Sequence, residues 1–169
     1  HAGAGLRAAG AEGLLIATNT MHKVAEGVTR GNGLPLLHIG DATVAALKVA
    51  GHRRAGLLGT RFTMEDAFLA DHLRLHHGID TTAPAAADRA EVHRIIFDEL
   101  CRGVVAPSSR AAFGRIIASL AAAGCDSVIL GCTEISLLIN PQAPGWPVPL
   151  FDSTALHAAA AVHWMLETP

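Results

Sequence analysis

Short apolar runs alternate with longer amphipathic stretches along most of the chain. Five runs, at residues 14–17, 36–39, 55–58, 128–130 and 148–151, are apolar at nearly every position. Such runs are typical of parallel strands that are buried on both faces of a sheet. The segments between them are long enough to hold helices, so the pattern predicts an α/β fold.

The predicted helices carry recognisable start and stop signals. Asp41 stands near one N-terminus, Pro107 opens another helix, and Gly103 and Gly124 follow the ends of two more. Residues 80–87 are predicted to form an exposed loop. The predicted helices span residues 21–29, 42–50, 64–77, 89–103, 108–123 and 153–166.

Two segments of the chain resemble two later ones. Residues 10–22 resemble residues 124–136, and residues 37–43 resemble residues 148–154. Repeated strand-turn-helix units indicate two related halves, and halves that pack face to face would bring Thr18 and Cys132 to one ligand.

We therefore predict two pseudo-symmetric α/β domains, each with a parallel sheet covered by helices on both faces. Residues 1–42 form the remainder of the first domain, residues 43–150 form the second, and residues 151–169 return to the first. Because the chain opens inside a helical pattern, the first domain is expected to lack its N-terminal strand in this chain.

Composition narrows the classes of function. The 169 residues are half apolar, but no run approaches the ~18 apolar residues of a membrane span. The net charge is −2 and no basic stripe is interleaved with aromatic residues, which argues against nucleic acid as a partner. Three cysteines, without a signal-peptide pattern, favour a reducing compartment, so we expect a cytoplasmic protein.

Polar clusters follow the predicted strands at residues 18–20, 59–61, 131–134 and 152–154. Open parallel sheets leave a crevice at the carboxyl ends of their strands, where hydroxyls, amides and backbone N–H groups bind carboxylates. The glycine-rich signatures of dinucleotide and nucleoside-triphosphate sites are absent from the sequence.

Cys132 is the strongest catalytic candidate. It follows a strand and precedes a predicted helix start at Thr133, whose amide dipoles are expected to lower the thiol pKa and favour the thiolate. A thiolate at this place is a base or a nucleophile. The alternative is that Cys132 is a small buried apolar residue, which is the role expected of Cys101 and Cys125.

The ten histidines are weaker candidates for catalysis or metal binding than Cys132. His72 and His76 are four residues apart on a predicted helix, yet neither an acidic residue nor a thiol stands at a spacing that would complete a metal site. We therefore expect no metal site. His22, four residues after Thr18, is expected either to orient a neighbour or a water or to be structural, and His38 is expected to be a satisfied core residue.

The motifs at the strand ends resemble those of a known enzyme family. Residues 18–23 (TNTMHK) and 130–135 (LGCTEI), with 36–39 (LLHI) and 58–63 (LGTRFT) between them, resemble the aspartate/glutamate racemases that use no pyridoxal phosphate. The resemblance covers nearly the whole chain. It implies an active site between two domains, no cofactor, a dicarboxylic amino acid as substrate, and a homodimer.

The resemblance also implies a mechanism. In the usual member two cysteines flank the substrate Cα; one removes the proton and the other returns it to the opposite face. The second matches Cys132, whereas the first falls on Thr18, whose hydroxyl is a far weaker acid than a thiol. We therefore expect proton exchange that favours one enantiomer.

Other positions carry over as substrate contacts. Arg102 matches the place of a cation for the side-chain carboxylate, although it also reads as an exposed arginine near a helix end. Helix capping is a further role open to Asn19 and Thr20. The expected substrate-binding residues are Asn19, Thr20, Thr60, Thr133, Glu134 and Arg102.

Three functions stay open. The first is an aspartate or glutamate racemase or epimerase. The second is a single-cysteine lyase of the same superfamily, similar to arylmalonate decarboxylase, in which a carbanion formed by loss of CO₂ needs only one protonation. The third is a carboxylate-binding protein without catalysis.

Overall fold

Two parallel β-sheets frame the protein, whose computed structural model describes residues 2–167. One sheet has two strands, and the other has four in the order β4-β3-β5-β6. All five predicted strands are confirmed, with ends that differ by one to two residues at most positions. The strands are β1 (Leu14–Leu15), β2 (Leu36–Leu37), β3 (Arg54–Gly59), β4 (Asp80–Thr82), β5 (Ser127–Gly131) and β6 (Leu150–Asp152).

Helices connect every pair of successive strands or lie beside them. Short 3₁₀ turns cover Thr20–Val24 and Leu100–Arg102, and a π-helical turn covers Ile95–Glu99. The α-helices are α1 (Ala2–Ala8), α2 (Ala25–Thr29), α3 (Ile39–Val49), α4 (Arg61–Glu65), α5 (Ala67–His77), α6 (Ala86–Arg94), α7 (Pro107–Ala122), α8 (Ile135–Leu138) and α9 (Ser153–Glu167).

The predicted exposed loop at residues 80–87 was wrong. Asp80–Thr82 form β4, which pairs in parallel with β3, and α6 begins at Ala86. The segment reads as a loop because polar and small residues dominate it, but an edge strand needs no apolar face when it completes an existing sheet. Tertiary pairing therefore outweighs local composition here.

Two predicted helices are interrupted. The helix predicted at residues 64–77 is α4 and α5, separated at Asp66, whose backbone is extended (φ −79°, ψ 133°). The helix predicted at residues 89–103 passes from α6 through the π-helical turn into a 3₁₀ turn. The π turn changes the direction in which the following side chains point, and such turns are frequent at functional sites.

The larger sheet is buried on both faces. Val128 and Leu130 of β5 pack into a cluster with Phe113 of α7, whereas Ile129 between them packs into a second cluster with Leu73 of α5. This alternation follows from the two-residue period of a strand. Helices therefore cover both faces, as the continuous apolar pattern of β5 predicted.

Helix α9 contacts strands of both sheets. Asp152 at the end of β6 accepts hydrogen bonds from the backbone N–H groups of Thr154 and Ala155 and so caps α9. The ring of His157 on α9 donates to the carbonyl oxygen of Leu37 in β2 over 2.7 Å. The molecule is thus a pair of related α/β units, each with a parallel sheet. Within residues 2–167, no helix is both long and apolar enough to cross a bilayer.

Candidate active site

A cavity of about 360 Å³ lies between turns that follow strands of the two sheets. The turn after β1 provides one wall, the turns after β3 and β5 provide a second, and the π-helical and 3₁₀ turns at residues 96–101 provide a third. Seven of the eight site residues predicted from the sequence meet here. The cavity is lined by Ala17, Thr18, Asn19, Thr20, Thr60, Ile96, Phe97, Cys101, Gly131, Cys132, Thr133 and Glu134.

Two glycines allow the second wall to form. Gly59 and Gly131 end the neighbouring strands β3 and β5 and lie opposite each other in the parallel register. A Cβ on Gly59 would approach the Gly131 carbonyl oxygen to 2.9 Å, and one on Gly131 would approach the Leu58 carbonyl oxygen equally closely. Only glycine tolerates this spacing, so the turns that carry Thr60 and Cys132 leave the sheet side by side.

Cys132 is bound to a carboxylate. Its thiol donates to Oε2 of Glu134 over 3.0 Å, and the Thr133 hydroxyl donates to the same oxygen over 2.6 Å. Glu134 therefore contacts the candidate catalytic group directly, beyond the substrate-binding role predicted for it. Although its partial burial acts in the opposite direction, the hydrogen bonds from Cys132 and Thr133 lower the pKa of Glu134.

The expectation of a thiolate at Cys132 was wrong for the protein without substrate. Burial, followed by the hydrogen bond to Glu134, raises the pKa of the Cys132 thiol to about 12. The side chain is only 8% exposed, and the helix expected to lower its pKa is α8, which has four residues and begins at Ile135. A negative charge beside a buried thiol outweighs the dipole of so short a helix.

Alkylation of Cys132 by iodoacetamide should therefore depend steeply on pH. Only the thiolate reacts, and with a pKa of about 12 the thiolate fraction rises with pH across the neutral range. We expect the rate at Cys132 to rise about tenfold per pH unit between roughly pH 7 and 10. Peptide mass spectrometry resolves Cys132 from Cys101 and Cys125.

Glu134→Gln is the matched variant for this measurement. It keeps the shape of the side chain but removes the charge that opposes the thiolate, so Cys132 should alkylate faster at neutral pH. A rate at Cys132 that levels off below about pH 8 would contradict the raised pKa.

Thr18 lies on the opposite wall and is held through its backbone. Its carbonyl oxygen accepts a hydrogen bond from Nδ1 of His22 over 2.8 Å, while Nε2 of the same ring accepts from the N–H of Ile39 over 3.1 Å. His22 is buried, which lowers its pKa and keeps the ring neutral. Of the two roles considered for His22, the contacts support both: it fixes Thr18 and joins the β1 turn to α3.

Asn19 lines the cavity and carries a buried, unpaired side-chain oxygen. Its side chain is 3% exposed, and Nδ2 donates to the Ser153 hydroxyl over 3.0 Å. Ser153 in turn donates to the Leu130 carbonyl oxygen over 2.8 Å, which makes Ser153 the acceptor for Asn19 and fixes the orientation of the amide. Oδ1 of Asn19 has no hydrogen-bond partner among the described residues. A buried acceptor of this kind is suited to a ligand ammonium group.

The hydroxyl groups of Thr20, Thr60 and Thr63 lie close to one another. Thr20 Oγ1 lies 3.4 Å from Thr60 Oγ1 and 3.2 Å from Thr63 Oγ1, and the last two are 3.4 Å apart. Thr63 was not predicted as a site residue although it ends the 58–63 motif; it falls inside α4 and supports Thr20 and Thr60 from behind the cavity lining. The set offers donors of variable orientation for a carboxylate.

Arg102 and Cys101 occupy places other than those expected. Arg102 points to solvent, 70% exposed, 3.8 Å from Asp98, and lies outside the cavity lining. Cys101, expected to be a small buried apolar residue, is exposed and lines the cavity, whereas Cys125 is buried as expected. No signal in the sequence marked Cys101, because its neighbour Phe97 is known to line the cavity only from the structure. The 152–154 cluster supports α9 and Asn19 and does not line this cavity.

Comparison with known proteins gives consistent results. A family model described as Asp/Glu/Hydantoin racemase matches residues 1–161. The crystal structure of a candidate Asp/Glu racemase from Yersinia pestis is 48% identical, with a TM-score of 0.92 over 98% of this chain and 71% of that one. An aspartate racemase homologue from Pyrococcus horikoshii OT3 is 34% identical, with a TM-score of 0.87 over 98% of this chain and 72% of that one.

A curated glutamate racemase from Pseudomonas aeruginosa is 29% identical over 136 residues, which are 74% of this chain. This chain spans about half of that relative, 46% of its length. The family model, the structural likeness and the paired strand-end motifs around Thr18 and Cys132 agree. The chain belongs to the Asp/Glu/Hydantoin racemase family.

Proposed function

We propose that the protein is a cofactor-independent racemase or epimerase that exchanges the Cα proton of aspartate or glutamate. The observation that carries this proposal is the position of Cys132 and Thr18. They lie at the ends of strands from two different sheets and line one cavity. Inversion at a carbon requires one proton-transferring group on each face, and these two side chains supply the pair.

The cavity suits a small amino acid. Its volume of about 360 Å³ lies at the lower end of the range for ligand sites. Asn19 Oδ1 would accept a hydrogen bond from the substrate ammonium group, which satisfies its unpaired oxygen. The Thr20 and Thr60 hydroxyls would bind a carboxylate.

Glu134 gives Cys132 a route to the thiolate. The thiol proton passes to Oε2, which lies 3.0 Å from Sγ, and the resulting thiolate removes the Cα proton. Because the pKa of Cys132 is raised to about 12, the thiolate is a minor species at neutral pH before substrate binds. The positive charge of a bound ammonium group would favour the thiolate and lower this barrier.

Thr18 serves the opposite face as a proton donor. Once Cys132 has removed the proton, the Thr18 hydroxyl returns one to the carbanion, directly or through a water molecule, and is reprotonated by solvent. If Thr18 were instead the base and Cys132 the proton donor, the reaction would require a threonine alkoxide. No side chain among residues 2–167 makes a hydrogen bond that would remove the Thr18 hydroxyl proton, so this direction is slower.

The asymmetry should be visible in Cα exchange with D₂O. Net racemisation has equal kcat/KM in both directions, because the two enantiomers have equal free energy in water. Exchange with retention has no such constraint: the enantiomer whose Cα–H faces Cys132 should incorporate deuterium faster than it inverts. We expect unequal exchange rates when L- and D-aspartate, and L- and D-glutamate, are each followed by proton NMR.

Chiral chromatography of the same samples measures inversion. Equal exchange rates from the two enantiomers would refute the asymmetry, and absence of both exchange and inversion would refute the proposed activity. Binding of these amino acids without either reaction would instead support the third function considered, that of a carboxylate-binding protein.

A single-cysteine lyase is the second candidate. Ile96 and Phe97 give the cavity an apolar wall, and none of the described residues that line it is a lysine or arginine. An apolar substituent on a malonate would pack there, and loss of CO₂ leaves a carbanion that the Cys132 thiol alone can protonate. Release of CO₂ from phenylmalonate, with no exchange at the Cα of aspartate or glutamate, would favour this function.

A further inference from the structure

A second cavity, larger than the one at Cys132, shares no lining residue with it. Its volume is about 670 Å³, and it opens between the turn at Thr20–Val24, α2 and α5. Four histidines, His22, His38, His72 and His76, are among its lining residues. Neither the family resemblance nor the proposed reaction assigns it a role.

Asp41 holds two of the imidazoles at its edge. His72 Nε2 lies 2.6 Å and His77 Nε2 lies 2.7 Å from Oδ1 of Asp41. The ring of His38 stacks on that of His72, with centroids 3.7 Å apart. Three ligand-type atoms, one each from His38, Asp41 and His72, lie within 4.8 Å of one another. We call His38, Asp41, His72 and His77 the imidazole cluster.

The expectation that His72 lacks an acidic partner was wrong. Its partner is Asp41, in the first turn of α3, which packs against α5 and so brings the carboxylate to the histidines. Spacing along the sequence could not reveal this partner, because it comes from another helix.

We propose that the imidazole cluster binds a divalent transition metal ion of the zinc type, through Asp41, His72 and His38. His77 holds the carboxylate as an outer partner. Two imidazoles and one carboxylate are a donor set that suits zinc, cobalt or nickel rather than magnesium or calcium, which prefer oxygen ligands.

The geometry permits coordination after small side-chain movements. Tetrahedral bonds of about 2.0–2.1 Å place ligand atoms roughly 3.3 Å apart. The distance between His72 Nε2 and Asp41 Oδ1 would increase from 2.6 Å to this value. The other distances between ligand atoms, which are at most 4.8 Å, would decrease to it. The His38 ring would turn out of its stack and exchange its hydrogen bond from the Gly40 N–H for the metal.

Titration of the tag-free protein with Co²⁺ and then Zn²⁺ tests the site. We expect one equivalent of Co²⁺ with visible absorption of a four- or five-coordinate ion, lost when Zn²⁺ displaces it. Asp41→Asn and His72→Ala should each weaken Zn²⁺ binding, measured by calorimetry, at least about tenfold.

Two matched variants separate this site from others. His163→Ala removes an exposed histidine of α9 that pairs with Glu167, and Cys132→Ser removes a competing thiol ligand. Both should bind Zn²⁺ as the unsubstituted protein does, and circular dichroism confirms that each variant is folded. Failure of the protein to bind Co²⁺ and Zn²⁺, or full binding by folded Asp41→Asn and His72→Ala, would overturn the proposal. Loss of binding in Cys132→Ser would overturn it as well.

Discussion

Cys132→Ser should reduce Cα proton exchange by about 10³-fold, within the range that a positioned acid–base group contributes. The serine hydroxyl keeps the shape of the side chain and can still donate to Glu134. Its pKa is far above that of a thiol, however, so Glu134 cannot raise a useful fraction of the alkoxide. Exchange rates in D₂O measure the loss.

Cys101→Ser is the matched control for this prediction. This variant also replaces a sulfur atom of the same cavity with oxygen. Cys101 lies in the 3₁₀ turn at Leu100–Arg102. Within the described residues, Glu134 accepts a hydrogen bond from Cys132 and none from Cys101. Exchange should stay within about threefold of the unsubstituted protein, since no acid–base group is lost. Equal losses in the two variants, or full exchange in Cys132→Ser, would remove Cys132 from the mechanism.

The strands could be predicted because each is a continuous apolar run. β5 is buried at every position, and the apolar residues 128–130 are enough to predict a buried strand there. β4 could not be predicted, because Asp80 and Thr82 are exposed and the strand exists only by pairing with β3. Interruptions such as that at Asp66 depend on the packing of α4 and α5 and have no clear local signal.

The residues of the candidate site could be located for a similar reason. Turns that follow parallel strands meet at one edge of the sheet, so the sequence alone predicts that Thr60 and Cys132 lie together. The repeat between the two halves predicts that Thr18 approaches them from the other sheet. The protonation state of Cys132 could not be obtained in this way. It depends on burial and on the direction in which the Glu134 carboxylate points, and neither is encoded in the order of residues 132–134.

The positions of Arg102 and His72 also could not be predicted from the sequence alone. The family resemblance assigns Arg102 to the site, but a π-helical turn precedes it in the structure, and Cys101 lines the cavity instead. His72 has no suitable acidic neighbour along its own helix, whereas Asp41 reaches it from α3. Contacts between elements decide both cases.

Thr18→Cys should increase net racemisation by about 10²-fold and bring the exchange rates of the two enantiomers closer together. A thiol at this place ionises more readily than the threonine hydroxyl, so the slow assignment, in which residue 18 is the base, becomes accessible. The gain should appear equally in kcat/KM for both directions, because the equilibrium constant for racemisation is one. Chiral chromatography and D₂O exchange, under reducing conditions that prevent a disulfide with Cys132, measure the two effects.

Thr18→Ser separates the thiol from the change in shape. Serine keeps a hydroxyl of similar pKa and loses only the methyl group, so it should preserve both the slow racemisation and the unequal exchange of the unsubstituted protein. The His22 hydrogen bond to the backbone at residue 18 does not depend on that side chain and should hold the turn in either variant. If Thr18→Cys left the exchange ratio unchanged while Cys132→Ser abolished exchange, Cys132 would work alone. The opposite face would then receive its proton from solvent, and Cys132 would be the single acid–base group of the site, as it is in the lyase considered above.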